Sequence, residues 1–80
     1  MPRIPRDCGS KQLIRLLASL GYRVVRRKGS HIRLYSNDAG HAITVPDHNP
    51  LRIGTLSNIL VDVSEATGIP KENLIERLSR

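Results

Sequence analysis

The chain has 80 residues and a formal net charge of +6 at neutral pH, and we expect it to form one domain over residues 1–80. It contains no Trp, no Phe and two Tyr, so its core must be aliphatic, and the aromatic stacking platforms of RRM and OB modules are largely excluded. Residues 1–36 hold nine basic residues and one acidic residue, whereas residues 37–80 hold four basic and six acidic residues.

Such an uneven charge distribution is expected when one surface meets a polyanion, although a solvated charged surface would have the same composition. An anionic membrane is a poorer partner, because the chain has no basic amphipathic helix with bulky aromatic anchors.

The first expected elements are a lead-in and a helix. Residues 1–9 contain two prolines and predict an extended lead-in. Ser10 is suited to cap a helix, and leucine and isoleucine then recur at helical spacing. Gly21 follows the last of them, which predicts a helix over residues 11–20.

Three strands should follow. Residues 22–28 and 31–36 flank a Gly-Ser turn, and together they predict a β-hairpin. Residues 37–40 indicate a second turn, and residues 41–45 predict a third strand. Pro46 ends that strand because it has no N–H to donate to the ladder.

Alternation along the strands predicts which side chains face the core. Apolar residues of the second and third strands face inward: Ile32, Leu34, Ile43 and Val45. Tyr35, Ala42 and Thr44 then face outward. If Tyr22 and Val24 face inward in the first strand, the open face carries a band of four residues: Arg23, Arg27, His31 and Arg33. The first strand alternates weakly, however, and a shift of one residue would reverse its faces.

Two helices complete the predicted fold. After a loop over residues 46–54, Thr55 can cap a helix that ends at Gly68, and a short last helix covers Pro70 to Ser79. The order α-β-β-β-α with an added helix predicts an α+β fold. Its three-stranded antiparallel sheet would have helices on one face and solvent on the other.

The segment from Arg26 to His31 concentrates the residues that carry chemistry. Three cations precede a glycine turn, and they can neutralise phosphate oxygens. Histidine changes its protonation near neutral pH, as a general acid or base must. A histidine in a hairpin is more often an ordinary surface residue, so the segment alone indicates little. Ser30 has little support as a covalent nucleophile, because no nearby aspartate would orient His31.

Several segments together resemble the HicA family, the toxins of bacterial and archaeal toxin–antitoxin pairs. They are Gly21-Tyr22, Arg26 to His31, Thr44 to His48, and Gly54 to Leu56, in this order. The resemblance implies a double-stranded-RNA-binding-domain-like fold and cleavage of mRNA. It also implies that His31 is the catalytic histidine and that a HicB-type antitoxin is the partner.

The candidate RNA-binding residues surround His31 in the sequence: Arg23, Arg26, Arg27, Lys28, Gly29, Ser30 and Arg33. His48 is a candidate second proton carrier, with an exposed loop histidine as the plainer interpretation. We expect no metal and no cofactor, because the carboxylates are scattered and His41 and His48 have no obvious third ligand.

Two other functions are compatible with the same residues. One is a module of the same fold that binds duplex RNA without cutting it. The other is an interaction domain whose basic face binds an acidic protein, such as an antitoxin. A lone Cys8 and the lack of an apolar signal or membrane segment predict a cytoplasmic protein.

Overall fold

The computed structural model describes residues 3–79, in which three strands form one antiparallel sheet with the helices packed on one side. The elements are α1 (Ser10–Ser19), β1 (Tyr22–Lys28), β2 (His31–Ser36), β3 (His41–Pro46), α2 (Ile53–Thr67) and α3 (Lys71–Leu78). The strands lie in the order β1-β2-β3. The predicted α+β fold, with its α-β-β-β-α order and added helix, is confirmed.

The core is aliphatic and lies between the sheet and the helices. The four inward-facing residues predicted in β2 and β3 are all buried. They pack in one cluster with buried leucines of the three helices, among them Leu13, Leu17, Leu56, Leu60 and Leu74. Since burial of apolar surface is the dominant stabilising term, the helices hold the sheet in place and leave its other face to solvent.

The segment before α1 is tied to the loop after β3. Residues 1 and 2 of the predicted lead-in lie outside the described residues, and residues 3–9 form neither helix nor strand. The N–H of Leu51 donates to the carbonyl of Cys8 at 2.8 Å, and the N–H of Ser10 donates to that of His48 at 3.0 Å. Cys8 is buried, and this burial raises the pKa of its thiol.

Both predicted N-caps are wrong, whereas the predicted end of α2 at Gly68, its C-cap, is confirmed. Gly9 is the N-cap of α1, and Ser10 is its first residue. The Ser10 hydroxyl donates to Asp47 Oδ1 at 2.7 Å instead of capping the helix. α2 begins at Ile53 with Arg52 as its N-cap, three residues before Thr55, the predicted N-cap. Neither N-cap makes a side-chain capping bond. At α1 the Gly9 N–H instead donates to Gln12 Oε1 at 3.0 Å.

A β-bulge in β1 changes which residues share a face. Val24 pairs with Leu34, but the next pair is Arg26 with Arg33, so Val25 has no partner. A bulge inserts one extra residue and reverses the alternation beyond it. Arg26 and Lys28 therefore lie on the open face, and the prediction that Arg27 faces outward is wrong.

A partly buried contact joins β1, β3 and α2 at the end of the sheet opposite the Gly29-Ser30 turn. The Tyr22 hydroxyl lies 2.7 Å from His41 Nδ1, and His41 Nε2 lies 3.3 Å from Asp62 Oδ1. Burial, and then the negative charge of Asp62, raise the pKa of Tyr22. Nothing in the sequence pattern brings these three residues together, and His41 is held away from the Gly29-Ser30 turn.

Candidate functional site

The open face of the sheet contains a shallow cavity of about 350 Å³ beside the Gly29-Ser30 turn. Its lining residues come from all three strands: Arg26, Lys28, His31, Arg33 and Thr44. All five are exposed to solvent. Four of the eight candidate residues around the turn thus line one cavity, and each comes from β1 or β2.

Strand pairing fixes the relative positions of these side chains. Lys28 lies opposite His31, and Arg26 lies opposite Arg33. Directly opposed residues of an antiparallel pair project from the same face with their Cβ atoms about 5 Å apart. The bulge at Val25 is therefore what brings two β1 cations next to the imidazole.

Thr44 orients one of the arginines. Arg33 lies opposite Thr44 in the β2–β3 pairing and donates a hydrogen bond from Nη1 to Thr44 Oγ1 at 3.2 Å. Strand alternation predicts that Thr44 faces outward, but its contact with Arg33 depends on the cross-strand register. The sequence did not predict this contact, because register is a property of the strand pairing and not of either strand alone.

The Gly29-Ser30 turn, which precedes His31, is open to solvent on one side and hydrogen-bonded to the end of β3 on the other. Gly29 has a φ of +58°, a conformation that side chains rarely adopt, and an added Cβ atom would meet nothing within 4 Å. The N–H of Asp47 donates to the carbonyl of Ser30 at 2.6 Å. The turn is thus fixed to the end of β3, while its outer surface is free for a ligand to approach closely.

Arg27 lies on the other side of β1 and contacts Asp47. Its Nη1 atom is 3.9 Å from Asp47 Oδ2, and about half or more of each side chain is exposed. An exposed ion pair at this distance contributes little to stability. The bond from Ser10 to Asp47 is shorter and better placed to hold α1 against the turn.

The remaining candidates lie outside the cavity. Arg23 pairs with Tyr35 on the same open face, one row further from the turn than Arg26. His48 lines a separate cavity of about 210 Å³ at the start of α1, so the structure does not bring it together with His31. Ser30 is exposed in the turn itself.

The cavity is electropositive. Within the described part of the chain, every charged side chain that lines it is basic. Across residues 3–79, no three His, Cys, Asp or Glu side chains come together in a group that could hold a metal ion. None of the helices over the same residues is both long and apolar enough to cross a membrane.

A family model described as the HicA toxin of bacterial toxin–antitoxin systems matches residues 10–64. The chain belongs to the HicA toxin family. It is therefore the toxin component of a toxin–antitoxin pair, whose partner is an antitoxin. The matched segment contains every residue of the cavity and ends within α2, so α3 lies beyond it. No curated protein and no solved structure matched the chain.

Proposed function

We propose that this toxin is a metal-independent endoribonuclease that cleaves mRNA in the cytoplasm with His31 as its catalytic residue. One observation carries the proposal: a solvent-exposed imidazole lies in a cavity with three cations and no acidic lining residue among those described. Cations around a proton carrier suit a reaction at a phosphodiester, whose transition state gains negative charge.

RNA supplies its own nucleophile, so such a reaction needs no metal-bound water. His31 acts as a general base and takes the proton of the ribose 2′-hydroxyl. The 2′-oxygen forms a bond to phosphorus, and the bond from phosphorus to the 5′-oxygen breaks. The departing 5′-oxygen takes a proton from solvent, which leaves a 2′,3′-cyclic phosphate and a 5′-hydroxyl. Proton transfer by a placed side chain contributes about 10²- to 10⁴-fold.

The cations around His31 divide into two groups. Lys28 lies opposite His31 in the strand register. In this proposal it stabilises the negative charge on the phosphate that reacts beside His31. Arg26 and Arg33 lie one row away, and Thr44 holds the Arg33 guanidinium by a hydrogen bond. A guanidinium binds two phosphate oxygens at once, so this pair stabilises bound RNA and the charged transition state.

The antitoxin of this pair is of the HicB type and inhibits the toxin by covering the basic open face. Binding through that face would be electrostatically steered, so the association rate should fall steeply as salt is added. The same surface would then serve RNA and antitoxin in turn, and neither could bind while the other is present.

Cleavage of a labelled mRNA in EDTA tests this function. Wild-type toxin is compared with His31→Ala, and His48→Ala serves as the matched control because His48 lies in a separate cavity. Circular dichroism first establishes that all three proteins are equally folded. We expect wild type and His48→Ala to cut equally and leave 2′,3′-cyclic phosphate ends, and His31→Ala to bind RNA without cutting it.

Two other results would overturn the proposal. If all three proteins bind RNA and none cuts it, the chain is a non-catalytic RNA-binding module. If His31→Ala cuts as fast as wild type, His31 is an ordinary surface residue.

A further inference from the structure

We infer that the open face binds RNA as one extended single strand that runs along β2, with three successive nucleotide positions set by three rows of side chains. The inference rests on the proposed function only in taking RNA as the ligand. It goes further by stating the form of the RNA and by assigning a role to Tyr35.

The rows follow from the register of the sheet. The first row is Lys28 with His31, the second is Arg26 with Arg33, and the third is Arg23 with Tyr35. Residues that share a face of a strand repeat every two positions, so adjacent rows are about 7 Å apart. This spacing is comparable to that of neighbouring phosphates along an extended strand. A strand lying parallel to β2 therefore places one phosphate at each row.

The width of the basic stripe favours one strand over two. All of its cations lie on β1 and β2, whose axes are about 5 Å apart. The β3 positions on this face are uncharged: Ala42, Thr44 and Pro46. Duplex RNA presents its phosphates on both sides of a groove, and duplex-binding domains of this size contact successive grooves. A stripe one pair of residues wide matches the phosphates of one strand better than those on both sides of a duplex groove.

Tyr35 supplies a surface on which a base can stack. It is half-buried on the open face, with Arg23 on one side and Ala42 on the other. Because the Ala42 side chain is a single methyl group, it leaves the tyrosine ring accessible from β3. Stacking on one aromatic ring tolerates any base, so this row contributes affinity without strong sequence preference.

Binding of fluorescent 2′-O-methyl oligonucleotides tests the inference apart from catalysis, because the blocked 2′-oxygen cannot attack the phosphate. We expect an unstructured single-stranded hexanucleotide to bind, and the same sequence as a perfect duplex to bind at least about tenfold more weakly. Replacing Tyr35→Leu should weaken hexanucleotide binding by about tenfold, whereas Tyr35→Phe keeps the ring and should bind as wild type does.

The salt dependence of RNA binding tests whether a phosphate lies beside Arg23 in the third row. Each phosphate contact to a single strand contributes about 0.7 to the slope of log affinity against log salt. Arg23→Ala should lower the slope by about that amount. Arg15→Ala, which removes an equal charge from α1 on the helical side, should leave it unchanged.

Three results would overturn the inference: equal affinity for single strand and duplex, equal binding by Tyr35→Leu and Tyr35→Phe, or equal slopes for Arg23→Ala and Arg15→Ala. If these binding tests succeed while wild type cuts no RNA, the proposed cleavage fails and the strand path stands. If wild type cuts RNA while the binding tests fail, the strand path fails alone.

Discussion

Arg26 lies directly opposite Arg33 on the open face of the sheet, and both side chains line the cavity that contains His31. Like charges directly opposite each other on a sheet are destabilising, by roughly 0.2–1 kcal/mol. Only Arg33 has a hydrogen-bond partner there, the hydroxyl of Thr44, among the contacts within residues 3–79. The free protein therefore carries a repulsion that a bound phosphate would relieve.

Removing one of the two charges should stabilise the fold and impair binding. We expect Arg26→Gln to raise the free energy of unfolding by a few tenths of a kcal/mol and to weaken RNA binding. Urea denaturation and RNA titration measure the two effects. Arg6→Gln removes an equal charge from an exposed position outside the helices and strands, and it should change neither. A less stable Arg26→Gln protein would mean that the two guanidinium groups do not repel each other.

Two adjacent cations should differ in their effect on cleavage because they lie on opposite sides of β1. Lys28 lines the cavity, whereas Arg27 contacts Asp47. We expect Lys28→Ala to lower kcat/KM for RNA at least about tenfold and Arg27→Ala to change it about twofold at most. Initial cleavage rates at one fixed salt concentration measure both. If both variants lost kcat/KM equally, closeness to His31 in the sequence would govern the effect, and not the side of β1 on which each cation lies.

Alkaline pH should destabilise the protein partly through Tyr22. Its raised pKa means that the native state holds the phenolic proton more tightly than the unfolded chain does. This contribution to stability is complete below the ordinary tyrosine pKa of about 10, and it is lost as the pH rises through the higher native value.

In Tyr22→Phe the free energy of unfolding should therefore fall less steeply above that pH. At neutral pH this variant should be about 1 kcal/mol less stable, since the contact with His41 is lost. Denaturation curves across the alkaline range provide the comparison, with Tyr35→Phe expected to follow wild type. Cys8, whose pKa is also raised, adds the same loss to every variant. Parallel curves for Tyr22→Phe and wild type would contradict the prediction.

Helix α3 should matter for stability and not for chemistry. Leu74 is fully buried in the core, although α3 lies beyond the segment that the family model matches. We expect Leu74→Ala to lower the free energy of unfolding by about 2–5 kcal/mol. RNA cleavage per folded molecule, assayed in the cold, should remain at the wild-type level. Asn73→Ala, exposed on the same helix, is the control. A folded Leu74→Ala protein with little activity would link α3 to the site.

Prediction from the sequence worked where each strand carries its own signal. In the middle of β2 and β3, the apolar Ile32, Leu34, Ile43 and Val45 alternate with other residues, so the inward and outward faces follow directly from the pleat. The Gly29-Ser30 turn between β1 and β2 was also predicted from the sequence. Hairpin turns favour glycine because it adopts a positive φ readily, and Gly29 has one.

The same approach failed where the arrangement depends on the partner strand or on tertiary contacts. In β1, two valines precede three cations, and neither parity nor composition reveals that Val25 is the unpaired residue. The N-cap of α2 makes no side-chain capping bond, so the start of the helix was wrongly predicted at Thr55, a residue type that often caps helices. The contact between Thr44 and Arg33 and the one between Tyr22 and His41 need the assembled sheet.

The placement of the sheet and helices also separates charge across the molecule. Four exposed carboxylates lie on α2, which packs against the sheet, and on α3, which packs against α1 and α2: Asp62, Glu65, Glu72 and Glu76. The helices also carry four cations, which balance these carboxylates: Lys11, Arg15, Lys71 and Arg77. The excess positive charge therefore lies on the strands, and the protein has an electric dipole directed from its helices toward its sheet. In the field of a polyanion, this dipole produces a torque that turns the open face of the sheet toward the polyanion before any contact is made. A larger share of collisions with a polyanion is then productive, which raises the association rate.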